Sequence, residues 1–118
     1  MKLKISSIQE KGNASKEYVW LEVTEDCDLS YYGLADTTFT SDGKIANKLR
    51  HFFWFPSKSV KKGEQVVLRT GAGNHGQYVT SDGKVVHRYF WGLGSSVWND
   101  DGDAAVLFEI ETWNTTRA

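Results

Sequence analysis

The feature that most constrains this sequence is an alternation of apolar and polar side chains that recurs in short runs. A period of two residues belongs to a half-buried strand, whereas a helix would repeat every 3.6 residues. Residues 17–23 set Val19, Leu21 and Val23 on one face and Tyr18, Trp20 and Glu22 on the other. Residues 2–8 align Leu3 and Ile5 in the same way. Further candidate strands are 31–39, 50–55, 65–70, 85–91 and 104–112, which makes about seven, the usual count for a sandwich. Five Trp, five Tyr and six Phe reinforce the reading, because aromatic side chains favour strands.

Turn chemistry falls between these runs. Asp42-Gly43, Asp82-Gly83 and Asp101-Gly102 are hairpin signals, since glycine accepts the positive φ of tight turns. Lys62-Gly63-Glu64 is a fourth reversal, and Pro56, which has no N–H to donate, should end the strand before it. The pentapeptide Thr-Ser-Asp-Gly-Lys occurs at 40–44 and again at 80–84. Two hairpins using one favoured turn is the simpler account of this repeat, ahead of an internal duplication.

The 118 residues suit one domain, expected over 1–113 with a short tail at 114–118. A formal charge of -1 points to no partner class, and the single Cys27 precludes an internal disulfide or a multi-cysteine zinc site. A reducing compartment, the cytoplasm, is the expectation. The amino-terminal run MKLKISSIQEKG lacks the apolar stretch of a signal peptide, and no segment has the length and hydropathy of a transmembrane helix. The sequons at Asn13 and Asn114 are too short a pattern to weigh outside a secretory context.

Catalytic material is sparse. His51, His75 and His87 are isolated from one another and from Cys27, so no metal-ligand spacing emerges. Asp26 and Asp28 flank Cys27 and should raise its pKa, which suppresses the thiolate. The glycine-bearing segment 70–76 is followed by residues that read as strand and turn, so it lacks the helix a phosphate loop requires. Asp100, Asp101 and Asp103 could offer oxygens to calcium, but a hairpin explains them with less. Neither cofactor nor metal is expected, and the chain is expected not to be an enzyme.

Charge is unevenly distributed. Residues 44–69 carry Lys44, Lys48, Arg50, Lys58, Lys61, Lys62 and Arg69 against Glu64 alone, whereas 17–36 hold six acids and no base. Lys44, Lys48, Arg50, Lys58, Lys61, Lys62 and Arg88 are therefore candidate contacts for a polyanion such as nucleic acid, if they gather on one surface. Tyr18 and Trp20 are candidate aromatic contacts, for another protein or a sugar ring, because they share the face opposite the apolar one.

In order along the chain, several fragments resemble the lamin-tail domain, a module also widespread in bacterial proteins. Glu17-Tyr18-Val19-Trp20-Leu21 is similar to the family's E-x-V-x-L strand, followed by Asp28-Leu29-Ser30. Phe53-Trp54-Phe55-Pro56 resembles its F-x-F-P, and Val60-Lys61-Lys62-Gly63-Glu64 and Thr70-Gly71-Ala72-Gly73 resemble the turns around its long strand. Trp98-Asn99-Asp100-Asp101-Gly102-Asp103-Ala104-Ala105-Val106-Leu107 is similar to its W-N-D-x-G-D-x-A-x-L hairpin. One departure is Tyr31-Tyr32-Gly33 where the family has Gly-Trp, with Tyr32 expected to fill the tryptophan's core position. The resemblance implies an all-β, immunoglobulin-like β-sandwich of about seven to nine strands that serves as a non-catalytic interaction or tethering module. Its partner would be another protein or a second copy of the chain. Polyanion binding through 44–69 and carbohydrate binding through surface aromatics are the alternatives.

Overall fold

A computed structural model describes residues 1–46, 48–99 and 103–118 of the chain. Among the described residues it holds ten strands and no α-helix. The strands are β1 (Leu3–Gln9), β2 (Tyr18–Val23), β3 (Cys27–Asp28), β4 (Tyr32–Thr38), β5 (Phe52–Trp54), β6 (Ser59–Val60), β7 (Gln65–Arg69), β8 (Gly76–Val79), β9 (Val85–Phe90) and β10 (Asp103–Glu109). They form a five-stranded sheet in the order β1-β2-β7-β9-β8, a three-stranded sheet β10-β4-β5 and the small pair β3-β6. The expected all-β class holds, and ten strands exceed the expected seven to nine for a physical reason. Two-residue strands such as β3 and β6 are too short to alternate, and all four residues of β8 are exposed, so nothing selects an apolar face there.

Alternation did locate the core. Val19, Leu21 and Val23 are buried, and they join Leu3, Val66, Leu68 and Tyr89 of the five-stranded sheet with Tyr32 and Leu34 of the three-stranded sheet. Phe55, Val60 and Trp98 complete this cluster. Two sheets that bury their inner faces in one core are compatible with a β-sandwich. Tyr32 is buried in this core. Its hydroxyl donates to Glu109 Oε2 at 2.7 Å and accepts the Lys2 N–H at 3.0 Å.

One pairing departs from the antiparallel rule of the rest. β7 and β9 run parallel, with Val67 opposite Arg88 and Arg69 opposite Phe90. This follows from β8, which takes the outer edge and returns the chain as a hairpin, so that β9 enters between β8 and β7. The hairpin closes on the second copy of the repeated pentapeptide. Thr80 and Lys84 pair through N–H to carbonyl at 2.8 Å, the Thr80 hydroxyl donates to Asp82, and Gly83 sits at φ 85°. The first copy builds the same turn, with Thr40 N–H to the Lys44 carbonyl at 2.6 Å and Gly43 at φ 81°. The expected Asp101-Gly102 turn lies outside the described residues.

A buried carboxylate ties the ends of these elements together. Glu17 is fully enclosed, and its Oε1 accepts the Gly12 N–H at 3.2 Å and the Ser96 hydroxyl at 2.5 Å. Its Oε2 accepts the Thr70 hydroxyl at 2.6 Å and the N–H groups of Val97 and Trp98 at 2.8 and 3.3 Å. Burial works to raise its pKa, but the bonds from Ser96, Thr70, Val97 and Trp98 outweigh it and hold the group below the usual glutamate range. At the carboxyl end, Trp113 packs its ring 5.0 Å from Trp54 and 5.7 Å from Tyr31.

Candidate functional site

Each larger sheet has one face in the core, so its other face is where a ligand or partner would meet the molecule. On the five-stranded sheet, the strand register sets side chains of that face in two adjacent rows. Tyr18, Arg69 and Phe90 form one row, and Trp20, Val67, Arg88 and Gly76 form the next. Tyr18 and Trp20 therefore point away from the core, as their alternation with Val19 and Leu21 predicts. Both are half-buried, edge to face with ring centroids 6.3 Å apart. The Arg69 guanidinium lies over the Tyr18 ring at 5.0 Å. Arg88 lies between two rings, 5.5 Å from Tyr78 and 5.4 Å from Phe90. Such stacking is favourable because the ring face is the negative pole of its quadrupole.

The outer face of the three-stranded sheet is apolar. Small residues, Gly33 and Ala35, run along the central β4, opposite Trp54 and Phe52 of β5 and opposite Phe108 and Val106 of β10. A Cβ on Gly33 would lie 2.1 Å from Phe52 Cζ, so only glycine lets that ring fold over the strand. The Phe52 and Phe108 rings then approach to 6.0 Å. Phe52 and Trp54 nonetheless remain 44% and 43% exposed, with Ile45 and Leu49 beside this face at 51% and 44%. Ile45, Ala46, Leu49, Val106 and Phe108 line a cleft of about 310 Å³. This surface was not singled out from the sequence. A run such as HFFWF is aromatic at every position, so its alternation does not say which face meets solvent.

The cations that would serve a polyanion only if they gathered on one surface lie in three places. Arg50 and Lys48 adjoin the carboxyl end of β4, where the Arg50 N–H reaches the Asp36 carbonyl and the Lys48 carbonyl accepts the Thr37 hydroxyl, and Lys44 is in the neighbouring turn. Lys58 backs onto Asp28 and Leu29, ahead of the amino end of β4, and Lys61 and Lys62 approach Asp26. The seven residues of β4 separate these groups by roughly 20 Å at about 3.3 Å per residue. Arg88 belongs to the outer face of the other sheet. Two of the cations have acidic neighbours, Lys61 with Asp26 at 3.7 Å and Arg50 with Asp103 at 3.7 Å.

The three histidines have local partners. His87 is buried with Nε2 2.9 Å from Glu64 Oε1, and His51 places Nδ1 3.0 Å from the buried Asp36. His75 accepts the Phe90 N–H through Nδ1 at 3.2 Å. His75 and His87 share a cleft of about 230 Å³ with Lys58 and Tyr89. Burial pushes the Cys27 thiol up, Lys2 opposes this, and Asp28 and Asp26 add to the rise. Among the described residues no group of three or more His, Cys, Asp or Glu side chains could hold a metal ion. Asp100 and Asp101 of the calcium candidate lie outside the described residues, while Asp103 accepts the Asn99 N–H at 2.7 Å.

Among the described residues no helix is long and apolar enough to cross a membrane. No protein-family model, curated protein or solved structure matches the chain.

Proposed function

We propose that this chain is a non-catalytic protein-interaction module, an immunoglobulin-like β-sandwich of the lamin-tail type. Its docking surface is the outer face of β10-β4-β5. The observation that carries this reading is the exposure of Phe52, Trp54, Phe108, Ile45 and Leu49 on and beside one sheet face, the last three lining an apolar cleft. A patch of large apolar side chains on a sheet face is costly to leave in water, and such patches mark surfaces that another chain covers. The partner that fits is an apolar segment with carboxylates at its edge. Lys44 and Lys48 flank Ile45 and Leu49 and form no ion pair among the described residues. The nearby Asp42 turns into its own loop, accepting from Thr40 and from the Lys44 N–H.

Selection of a random peptide-display library on the wild-type protein tests this. Enriched peptides should be apolar with acidic residues, and amide shift mapping should place them at Ile45, Leu49, Val106 and Phe108. The double variant Phe52→Asp/Phe108→Asp should bind them about tenfold more weakly or worse while keeping its fold. Equal enrichment on that variant, or shifts that map to another face, would refute the proposal.

A further inference from the structure

We infer that the outer face of the five-stranded sheet is a second binding site, a platform for single-stranded nucleic acid. Tyr18, Trp20, Tyr78 and Phe90 are its stacking surfaces, and Arg69 and Arg88 its cationic contacts.

The register explains how the platform arises. Parallel pairing of β7 with β9 brings Arg69 beside Phe90 and Val67 beside Arg88, and antiparallel pairing of β2 with β7 brings Tyr18 beside Arg69. Neighbouring strands lie about 4.8 Å apart, so each row carries its ring and guanidinium across three strands in about 10 Å. Residues from four strands thus present rings and cations on one surface.

The chemistry selects the ligand. The Arg69 guanidinium, over the Tyr18 ring alone, keeps a second flat face free of a ring, while Arg88, held between Tyr78 and Phe90, has only the edge of its plane to offer. Among the described residues neither Arg69 nor Arg88 has an acidic partner; Arg88 Nε is itself buried without an acceptor, so a ligand would meet the terminal nitrogens of that guanidinium. Glu22 is the acid in the next row of this face, and it is engaged by Lys4 at 3.4 Å. A sugar would use the rings and leave two positive charges unanswered; a simple polyanion would use the charges and leave the rings. Nucleobases linked by phosphates use both.

Space is provided at both ends of the face. Gly76 stands opposite Arg88, and a Cβ there would have no neighbour within 4 Å, so the face is open at that edge. At the other end the Phe90 ring lies against the Gly73 backbone, since a Cβ on Gly73 would be 2.5 Å from it. A recess of about 310 Å³ continues from there, lined by Arg69, Phe90, Ser15, Gly71 and Leu93. It offers a base one ring, one cation and polar backbone.

Labelled oligothymidylate and oligouridylate, titrated by fluorescence anisotropy at low and moderate salt, test the site. Two phosphate contacts should give a log affinity against log salt slope of about -1.4. Trp20→Ala should weaken binding roughly 5- to 100-fold. The double variant Arg69→Lys/Arg88→Lys preserves charge and removes the planes, so it should weaken binding while retaining most of the salt slope. Phe52→Asp/Phe108→Asp, on the other sheet, should bind as the wild type does, and thermal melts exclude unfolded variants. Three results would each overturn the inference: no binding by the wild type at low salt, binding indifferent to the Trp20 and arginine changes, or equal affinity for heparin unaltered by Trp20→Ala.

Discussion

The Glu17 carboxylate accepts the N–H of Val97 at 2.8 Å across a separation of 80 residues. The same side chain reaches Gly12, Thr70, Ser96 and Trp98, so one residue joins the loop before β2, the end of β7 and the segment ahead of β10. A carboxylate suits this position because it offers acceptors only, and every group around it is a donor.

Glu17→Gln therefore disrupts more than its small change in shape suggests. Whichever way the amide is turned, its NH2 faces at least one backbone N–H that the carboxylate accepted, Gly12 on one side or Val97 and Trp98 on the other, and that bond is lost. The expected loss is about 2–4 kcal/mol of folding stability, read as a lower urea midpoint with an unchanged slope. A midpoint within error of the wild type would show that the cluster contributes little.

The same group makes stability depend on acid. Its folded pKa is depressed below the unfolded value, so its contribution is complete above the ordinary glutamate pKa of about 4.3. It is lost as pH falls through the folded pKa. Asp28 acts in the same direction, held low by the Ser30 hydroxyl and N–H. Urea midpoints measured from neutral pH into the acid range should fall for the wild type. The gap between wild type and Glu17→Gln should narrow at the acid end.

Tyr32 behaves in the opposite sense. Burial, then its hydrogen bond to Glu109, pushes its phenol up to about 12. Its stabilising contribution is present below the unfolded pKa of about 10 and is lost as pH rises through the folded value. An ultraviolet titration of the folded protein should show a late phenol step with contributions from Tyr32 and from Tyr89, which burial also pushes up. Tyr32→Phe should reduce that late step by one phenol and cost about 1–2 kcal/mol, because the Lys2 N–H and Glu109 lose a partner.

Gly33 sets the form of the apolar face. Gly33→Val should displace the Phe52 ring and separate it from Phe108, at an overpacking cost of about 1–3 kcal/mol. If the proposed docking surface is correct, affinity for selected peptides should fall further than stability alone accounts for. Unchanged affinity in a destabilised variant would place the peptide elsewhere.

How much of this was legible in the sequence follows from the range of each interaction. The alternation through Val19, Leu21 and Val23 determined both a strand and its buried face, since the two-residue period is local and needs no partner to define it. It also set Tyr18 and Trp20 on the opposite face. The Thr-Ser-Asp-Gly-Lys turns were equally local, and both copies close as their composition predicts. The burial of Tyr32 rests instead on distant partners, the Lys2 N–H and Glu109, that its hydroxyl meets. What only the tertiary structure decided is which distant residues share a surface. The parallel entry of β9 between β7 and β8 unites Arg69 and Arg88 with Tyr18, Tyr78 and Phe90, and residues 44–62, one basic run in the sequence, divide between the two ends of β4. Strand pairing is a non-local choice among edges, made by the packing of the whole core, and no short stretch of the chain contains it.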